Sequence, residues 1–174
     1  MPTVHIICGP TGAGKTTFAR ELATERDALR FSIDEWMANL FAADTPDPLT
    51  FDWAIERVGR CETQIWQTGL AALAIGRDIV LDLGFTTREQ RDRFRAQAME
   101  AGHQVSLHHV TAARELRLER VHARNRDGSE VFAFEVTDGM FEFMEDRFEI
   151  PAPEEKAVER RSAFPEPQDG TSYT

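Results

Sequence analysis

Short apolar runs alternate along the chain with longer segments whose apolar residues recur every three or four positions. The runs predict strands over residues 4–8, 29–33, 78–83 and 104–110. The other segments have the spacing of amphipathic helices, and they cover residues 18–23, 35–41, 51–75, 87–101, 113–125 and 137–147. Strands that alternate with helices are typical of a parallel sheet covered by helices on its faces.

Composition and length predict a single domain with a substantial core, because 174 residues with 41% hydrophobic content suit one globular unit. No apolar run approaches the roughly 18 residues that span a bilayer, and the first residues lack the pattern of a secretory leader. Cys8 falls in the first strand and is expected to be a buried thiol, while Cys8 and Cys61 lack metal-site spacing. A reducing cytoplasm is the expected compartment.

The formal net charge of −10 argues against a long polyanionic partner. Proteins that track nucleic acid usually present a basic surface. We therefore expect no extended nucleic-acid contact, although a local basic patch could still hold one nucleotide end.

One segment carries a complete phosphate-binding motif, G-x-x-x-x-G-K-[ST], between the first strand and the first helix. Its glycines let backbone N–H groups surround a phosphate at the positive end of the helix. Lys15 can reach the β- and γ-phosphates, and the Thr16 hydroxyl can ligate Mg²⁺. The motif predicts nucleoside triphosphate binding by residues Gly9, Pro10, Thr11, Gly12, Ala13, Gly14, Lys15, Thr16 and Thr17.

Two aspartates follow predicted strands, where side chains of an open α/β sheet face the ligand crevice. Asp34 either caps the next helix or orients an acceptor hydroxyl and takes its proton. Asp82 either ends the strand in a turn or helps to hold Mg²⁺. Glu35 is expected to project away from the site once the helix begins.

Arginines at helical spacing form a predicted basic stripe of Arg117, Arg120 and Arg124. One interpretation is a solvated face paired with nearby glutamates. The other is a lid over residues 117–136 whose arginines, with Arg126 in the following loop, stabilise charge on a transferred phosphoryl group.

Four further residues have open or negative interpretations. Arg88 and Arg91 either contact the acceptor or a phosphate, or belong to a solvated helix face. His108 and His109 are adjacent in a strand and face opposite ways, so we predict that neither is a metal ligand.

The assembled motifs resemble the small P-loop kinases grouped with chloramphenicol phosphotransferase, zeta toxin and the kinase domain of phage polynucleotide kinase. The resemblance spans about residues 4–155 and rests on GPTGAGKTTFAREL, FSIDEW, DIVLDLGFTTREQRDRF, RLERVHARNRDG and FEFMEDRFEIPAPEE. It implies a three-layer α/β P-loop NTPase fold, with a parallel sheet of four or five strands and a helical lid. The domain would cover residues 1–155, and residues 156–174 would form a tail.

The resemblance also implies an ATP-dependent phosphotransferase with ATP and Mg²⁺ as cofactors. Asp34 corresponds to the base for the acceptor hydroxyl, Arg120 and Arg124 correspond to lid arginines, and Lys15 keeps its place in the P-loop. Together these four are the expected catalytic residues, with Arg126 a further nucleotide contact.

One departure from polynucleotide kinases bears on the acceptor. Met37 stands where those enzymes place an arginine that grips nucleic-acid phosphate. Apolar neighbours and nearby acids would suit a neutral or cationic small molecule, antibiotic-like or sugar-like; these residues are Trp36, Leu40, Phe41, Asp44, Asp47, Asp52 and Glu56.

Other functions remain open. A nucleoside, nucleotide or polynucleotide 5′-hydroxyl kinase is the first alternative, and a toxin acting on a nucleotide-sugar is another. A switch or motor ATPase is disfavoured, because N-K-x-D and D-x-x-G signatures are missing and Leu83 follows Asp82 in place of a catalytic glutamate.

Overall fold

A five-stranded parallel sheet forms the centre of the computed structural model, which describes residues 1–127 and 136–162. The strands lie in the order β2-β3-β1-β4-β5, and each neighbouring pair is parallel. Their bounds are Thr3–Cys8 (β1), Leu29–Ser32 (β2), Ile79–Asp82 (β3), Gln104–Thr111 (β4) and Val158–Arg161 (β5). The predicted P-loop NTPase fold is confirmed, and its fifth strand comes from the segment predicted as a tail.

Helices connect the strands across both faces of the sheet. Four of them begin after a Ser or Thr side chain that accepts a backbone N–H in the first turn, namely Ser32, Thr50, Thr87 and Thr137. The helices are Lys15–Arg26 (α1), Ile33–Phe41 (α2), Phe51–Ala74 (α3), Arg88–Glu100 (α4), Arg114–Asp127 (α5) and Asp138–Arg147 (α6). Thr87 and Gln90 form a capping box at the start of α4. Part of the predicted lid, residues 128–135, and tail residues 163–174 lie outside the described residues.

The core has two layers because successive residues of β1 face opposite sides of the sheet. Ile6 packs in the larger cluster with α3 and α4, and Ile7 packs in the smaller cluster with α1. Cys8 and Cys61 are both buried free thiols, and burial raises the pKa of Cys8 to about 11. None of the described helices is long and apolar enough to cross a membrane.

A buried ion pair fastens the segment after α6 to α4. Arg91 is fully buried and donates to both carboxylate oxygens of Glu155, at 2.7 and 2.9 Å, and to the carbonyl of Glu149 at 2.9 Å. Arg88, one turn away, forms exposed pairs with Glu154 and Asp92. Both expectations for Arg91 were therefore wrong, since it is neither solvated nor a substrate contact.

We predict that Arg91→Met destabilises the fold by about 3–5 kcal/mol, because it strands a buried carboxylate. Urea unfolding followed by circular dichroism measures the loss. Arg88→Met removes an exposed pair from the same helix and should change the unfolding midpoint little. Equal losses in the two variants would contradict the structural role of the buried pair.

Two buried histidines pair across strands β1 and β4. His5 Nδ1 lies 3.1 Å from His108 Nε2, and His5 Nε2 lies 3.4 Å from Asp78. The neighbouring His109 faces the other side, as predicted, and stacks on Phe148. Burial, with His5 and nearby arginines adding to it, lowers the pKa of His108 from 6.5 to about 4.

This depressed pKa predicts a loss of stability as pH falls from about 6.5 towards 4. In that window the unfolded chain binds a proton that folded His108 does not, so the unfolded state is favoured. His108→Gln keeps a hydrogen-bonding group and removes the titration. Unfolding free energies at several pH values should therefore vary less steeply in the variant than in the wild type, and identical slopes would contradict this assignment.

Candidate nucleotide and phosphoryl-transfer site

The carboxyl ends of the strands open into a cleft of about 660 Å³. Parallel strands place all their carboxyl ends at one edge, where α/β proteins bind ligands. The cleft is lined by the P-loop, the start of α2, the loop after β3, and residues of α5 and α6.

The P-loop is pressed so closely against its neighbours that two glycines cannot be replaced freely. A Cβ on Gly9 would lie 2.1 Å from the Val110 carbonyl oxygen, and one on Gly12 would lie 2.4 Å from that of Arg117. Gly12 also has φ +77°, in the left-handed region that favours glycine. The loop leads directly into α1, whose N-terminus is suited to bind a phosphate.

Lys15, Thr16 and Asp82 meet at the base of the cleft. Lys15 Nζ donates to the Pro10 carbonyl at 3.0 Å. Burial lowers the pKa of Lys15, while the Asp82 and Asp34 carboxylates oppose that shift. Burial raises the pKa of Asp82, and a hydrogen bond from Thr16 opposes this.

The oxygen atoms at this position fit a magnesium ion. Asp82 is 5% exposed, and its Oδ2 has no hydrogen-bond partner among the described residues. A buried carboxylate oxygen that accepts no hydrogen bond, beside the Thr16 hydroxyl, offers the hard oxygen ligands that Mg²⁺ prefers.

Asp34 faces the cleft from the first turn of α2. The helix is capped by Ser32, whose hydroxyl accepts from the Glu35 backbone N–H, so the capping interpretation of Asp34 was wrong. The Asp34 side chain is exposed to the cleft. The surrounding protein nevertheless removes part of the water around its carboxyl, and this desolvation raises its pKa. The Asp82 charge raises that pKa further, while Lys15 and Arg124 oppose the shift.

Glu35 joins three elements of the site, although we predicted that it would project away. It accepts from Arg20 of α1 at 3.0 Å and from Arg30 of β2 at 2.6 and 2.7 Å. Arg30 Nη1 also lies 3.9 Å from Asp82 Oδ2. Sequence reasoning missed Arg20 and Arg30, because spacing along the chain does not show which pairs meet.

Arg117 supports the P-loop and does not belong to a solvated stripe. It is buried and donates to the Thr11 carbonyl at 3.2 Å and to both carboxylate oxygens of Glu145 at 2.5 Å. This pair links α5, α6 and the P-loop in one contact.

The later arginines of α5 differ in whether they line the cleft. Arg120 donates to the Gly12 carbonyl at 3.3 Å and to Ser162 at 2.9 Å, so it lies across the P-loop. Arg124, one turn later, is exposed and lines the cleft. Arg126 belongs to α5 itself, not to a following loop, and it is not among the residues lining the cleft.

One wall of the cleft is the end of α6, which sequence reasoning did not assign to the site. Phe143, Met144, Arg147 and Phe148 line it, and the Thr11 hydroxyl donates to Met144 Sδ at 3.4 Å. In the sequence, Phe143 and Met144 each lie one helical turn before Arg147 and Phe148, and this spacing could have indicated that they share a helix face.

The residues expected to form acceptor walls lie elsewhere. Met37 is buried in the larger core cluster. Trp36 and Phe41 pack against that cluster, and the lining of the cleft contains none of the predicted wall residues Met37, Trp36, Leu40, Phe41, Asp44, Asp47, Asp52 and Glu56.

A family described as an AAA domain matches residues 4–151. The chain belongs to this family. No curated protein matches the chain in sequence.

Solved structures confirm the predicted resemblance to P-loop kinases at the level of the fold. A candidate kinase from Chloroflexus aurantiacus matches with TM-score 0.76 and 20% identity, over 97% of this chain and 92% of that one. A gluconokinase from Sinorhizobium meliloti matches with TM-score 0.62 and 17% identity, over 94% and 85%. A chain of the Pnkp1/Rnl/Hen1 RNA repair complex matches with TM-score 0.60 and 19% identity, over 85% and 46%.

We predict that Gly12→Ala weakens ADP binding about tenfold or more, because it adds a left-handed backbone penalty of roughly 1–2 kcal/mol and a clash with Arg117. Calorimetric titration measures the affinity. Gly59→Ala is the matched control, since Gly59 lies within α3 with nothing within 4 Å of an added Cβ. The control should bind ADP normally and gain about 1 kcal/mol of stability. Unchanged ADP affinity in Gly12→Ala would contradict the described loop.

Proposed function

We propose that the protein is a Mg²⁺-ATP-dependent kinase that transfers the γ-phosphoryl group to a hydroxyl of a small molecule. The observation that carries the proposal is the position of Asp34, which shares one cleft with the P-loop lysine and Asp82. A carboxylate beside the phosphate-binding loop is suited to accept a proton from an attacking hydroxyl.

The residues divide the work of phosphoryl transfer. P-loop N–H groups and Lys15 bind the phosphates, and Asp34 orients the acceptor hydroxyl and takes its proton. The raised pKa of Asp34 makes it a stronger base than an ordinary carboxylate. Arg120 and Arg124 stabilise negative charge on the transferred group.

Thr16 and Asp82 would hold Mg²⁺, as their oxygen atoms fit that ion. When bound, the metal neutralises charge on the phosphate oxygens and helps to orient them. ATP is the proposed donor because of the resemblance to ATP-dependent kinases.

A small acceptor is supported by the cleft's limited volume, the net charge of −10 and the fold shared with a gluconokinase. Two buried free thiols favour a reducing compartment, and we propose the cytoplasm. A nucleotide or polynucleotide 5′-hydroxyl is the second candidate, supported by the fold shared with a chain of an RNA repair complex.

We predict that Asp34→Asn lowers the rate of acceptor phosphorylation about 10²–10⁴-fold, the usual effect of removing a general base. ATP affinity should be retained, because Asp34 does not belong to the P-loop. Product formation, and ATP binding in the absence of acceptor, are measured on the same preparation.

Asp52→Asn is a matched control for this experiment. Asp52 is the second residue of α3, as Asp34 is of α2, and it is exposed outside the cleft. The control should keep full activity. A loss of activity caused only by removing an acid from the first turn of a helix would appear in both variants. Unchanged turnover in Asp34→Asn would reject Asp34 as the base.

A further inference from the structure

Arg147 lines the cleft and has no carboxylate partner in the part of the chain that the structure describes. Elsewhere between α5 and α6, arginines are matched by acids of α6, since Arg114 pairs with Glu142 and Arg117 with Glu145. Arg147 is exposed, lies over the Phe143 ring at 5.2 Å and forms no ion pair within residues 1–127 and 136–162. A cation–π contact leaves the guanidinium edge available for an anion.

Arg147 lines the same cleft as Asp34, and the segment that follows Arg147 is anchored to the loop after β3. Glu149, two residues after Arg147, donates its backbone N–H to the Thr86 carbonyl at 2.9 Å. Thr86 follows β3, and Asp34 follows β2, which pairs with β3. Phe148, which directly follows Arg147, stacks on His109 of β4, so the end of α6 is held between β3 and β4, over the middle of the sheet's carboxyl edge.

Arg120, which we propose as a nucleotide contact of α5, lies towards β5. Arg120 donates to Ser162, which follows β5 at the other edge of the sheet. Arg120 and Arg147 therefore line the cleft from two different helices, α5 and α6.

We propose that Arg147 binds a carboxylate or phosphate group of the acceptor, so that the acceptor is a hydroxylated small anion. Phe143 and Phe148 would pack against its carbon skeleton, with its hydroxyl at Asp34. Arginine is suited to this role because its planar fork matches both anions in a bidentate manner. The proposal rests on the proposed function and replaces the expected neutral or cationic acceptor.

The test compares matched acceptors with and without an anionic group. The pairs are D-gluconate and D-glucose, glycerol 3-phosphate and glycerol, and adenosine 3′-monophosphate and adenosine. Each compound is tested for stimulation of ADP release from Mg²⁺-ATP and, separately, for binding to the ADP-bound protein by calorimetry. The three pairs distinguish a carboxylate, a simple phosphate and a nucleotide as the source of the anion.

Arg147→Gln is compared with Arg60→Gln, a control on the exposed surface of α3. At least one anion should bind and serve as acceptor better than its neutral partner. In Arg147→Gln its KM and Kd should rise about 10- to 100-fold, the range for losing a hydrogen bond to a charged group. Its kcat should change much less, and Arg60→Gln should behave as the wild type.

Three outcomes would overturn the proposal. They are equal use of neutral partners, an unchanged Kd in Arg147→Gln, and no binding of any anion to the ADP-bound protein at millimolar concentration. In the first two cases acceptor phosphorylation would still support the kinase. Anion binding through Arg147 without any phosphorylation would instead reject the proposed function, while Arg147 would still be an anion-binding residue.

Discussion

The parallel pairing of β1 with both β3 and β4 is the constraint on which the site depends. It brings the P-loop, which leaves β1, between Asp82 at the end of β3 and Val110 near the end of β4. The loop then fits only because glycines allow it to lie against neighbouring carbonyl groups. Because the strand order fixes these approaches, the phosphate-binding loop and the buried Asp82 carboxylate meet at one edge of the sheet.

Ion pairs connect the helices, strand and loop that carry the groups proposed to react. Glu35 joins α1, α2 and β2 through two arginines, and Arg117 joins the P-loop to α6 through Glu145. Salt bridges that link separate elements can hold side chains in place more than they add stability. Asp34, Arg124 and Arg147 line the cleft, where a ligand can reach them.

Local signals in the sequence predicted those parts of the molecule that local structure determines. The P-loop and four of the five strands each depend on residues close along the chain, whereas β5 lies in the segment predicted as a tail. Tertiary contacts decided the rest: Arg91 is an ordinary exposed-looking helix residue until Glu155, 64 positions later, pairs with it. The same applies to Met37, which packs in the core, and to Arg147, whose place in the cleft depends on the anchoring of α6.

The central claim is phosphoryl transfer to a hydroxyl, and ³¹P nuclear magnetic resonance tests it most directly. The protein is incubated with Mg²⁺-ATP and mixtures of hydroxylated acceptors, and the fate of the γ-phosphate signal is followed. The account predicts a new phosphomonoester resonance that appears with one acceptor class at the rate at which ADP forms. Release of inorganic phosphate alone, at a rate indifferent to every acceptor, would contradict it and indicate an ATPase.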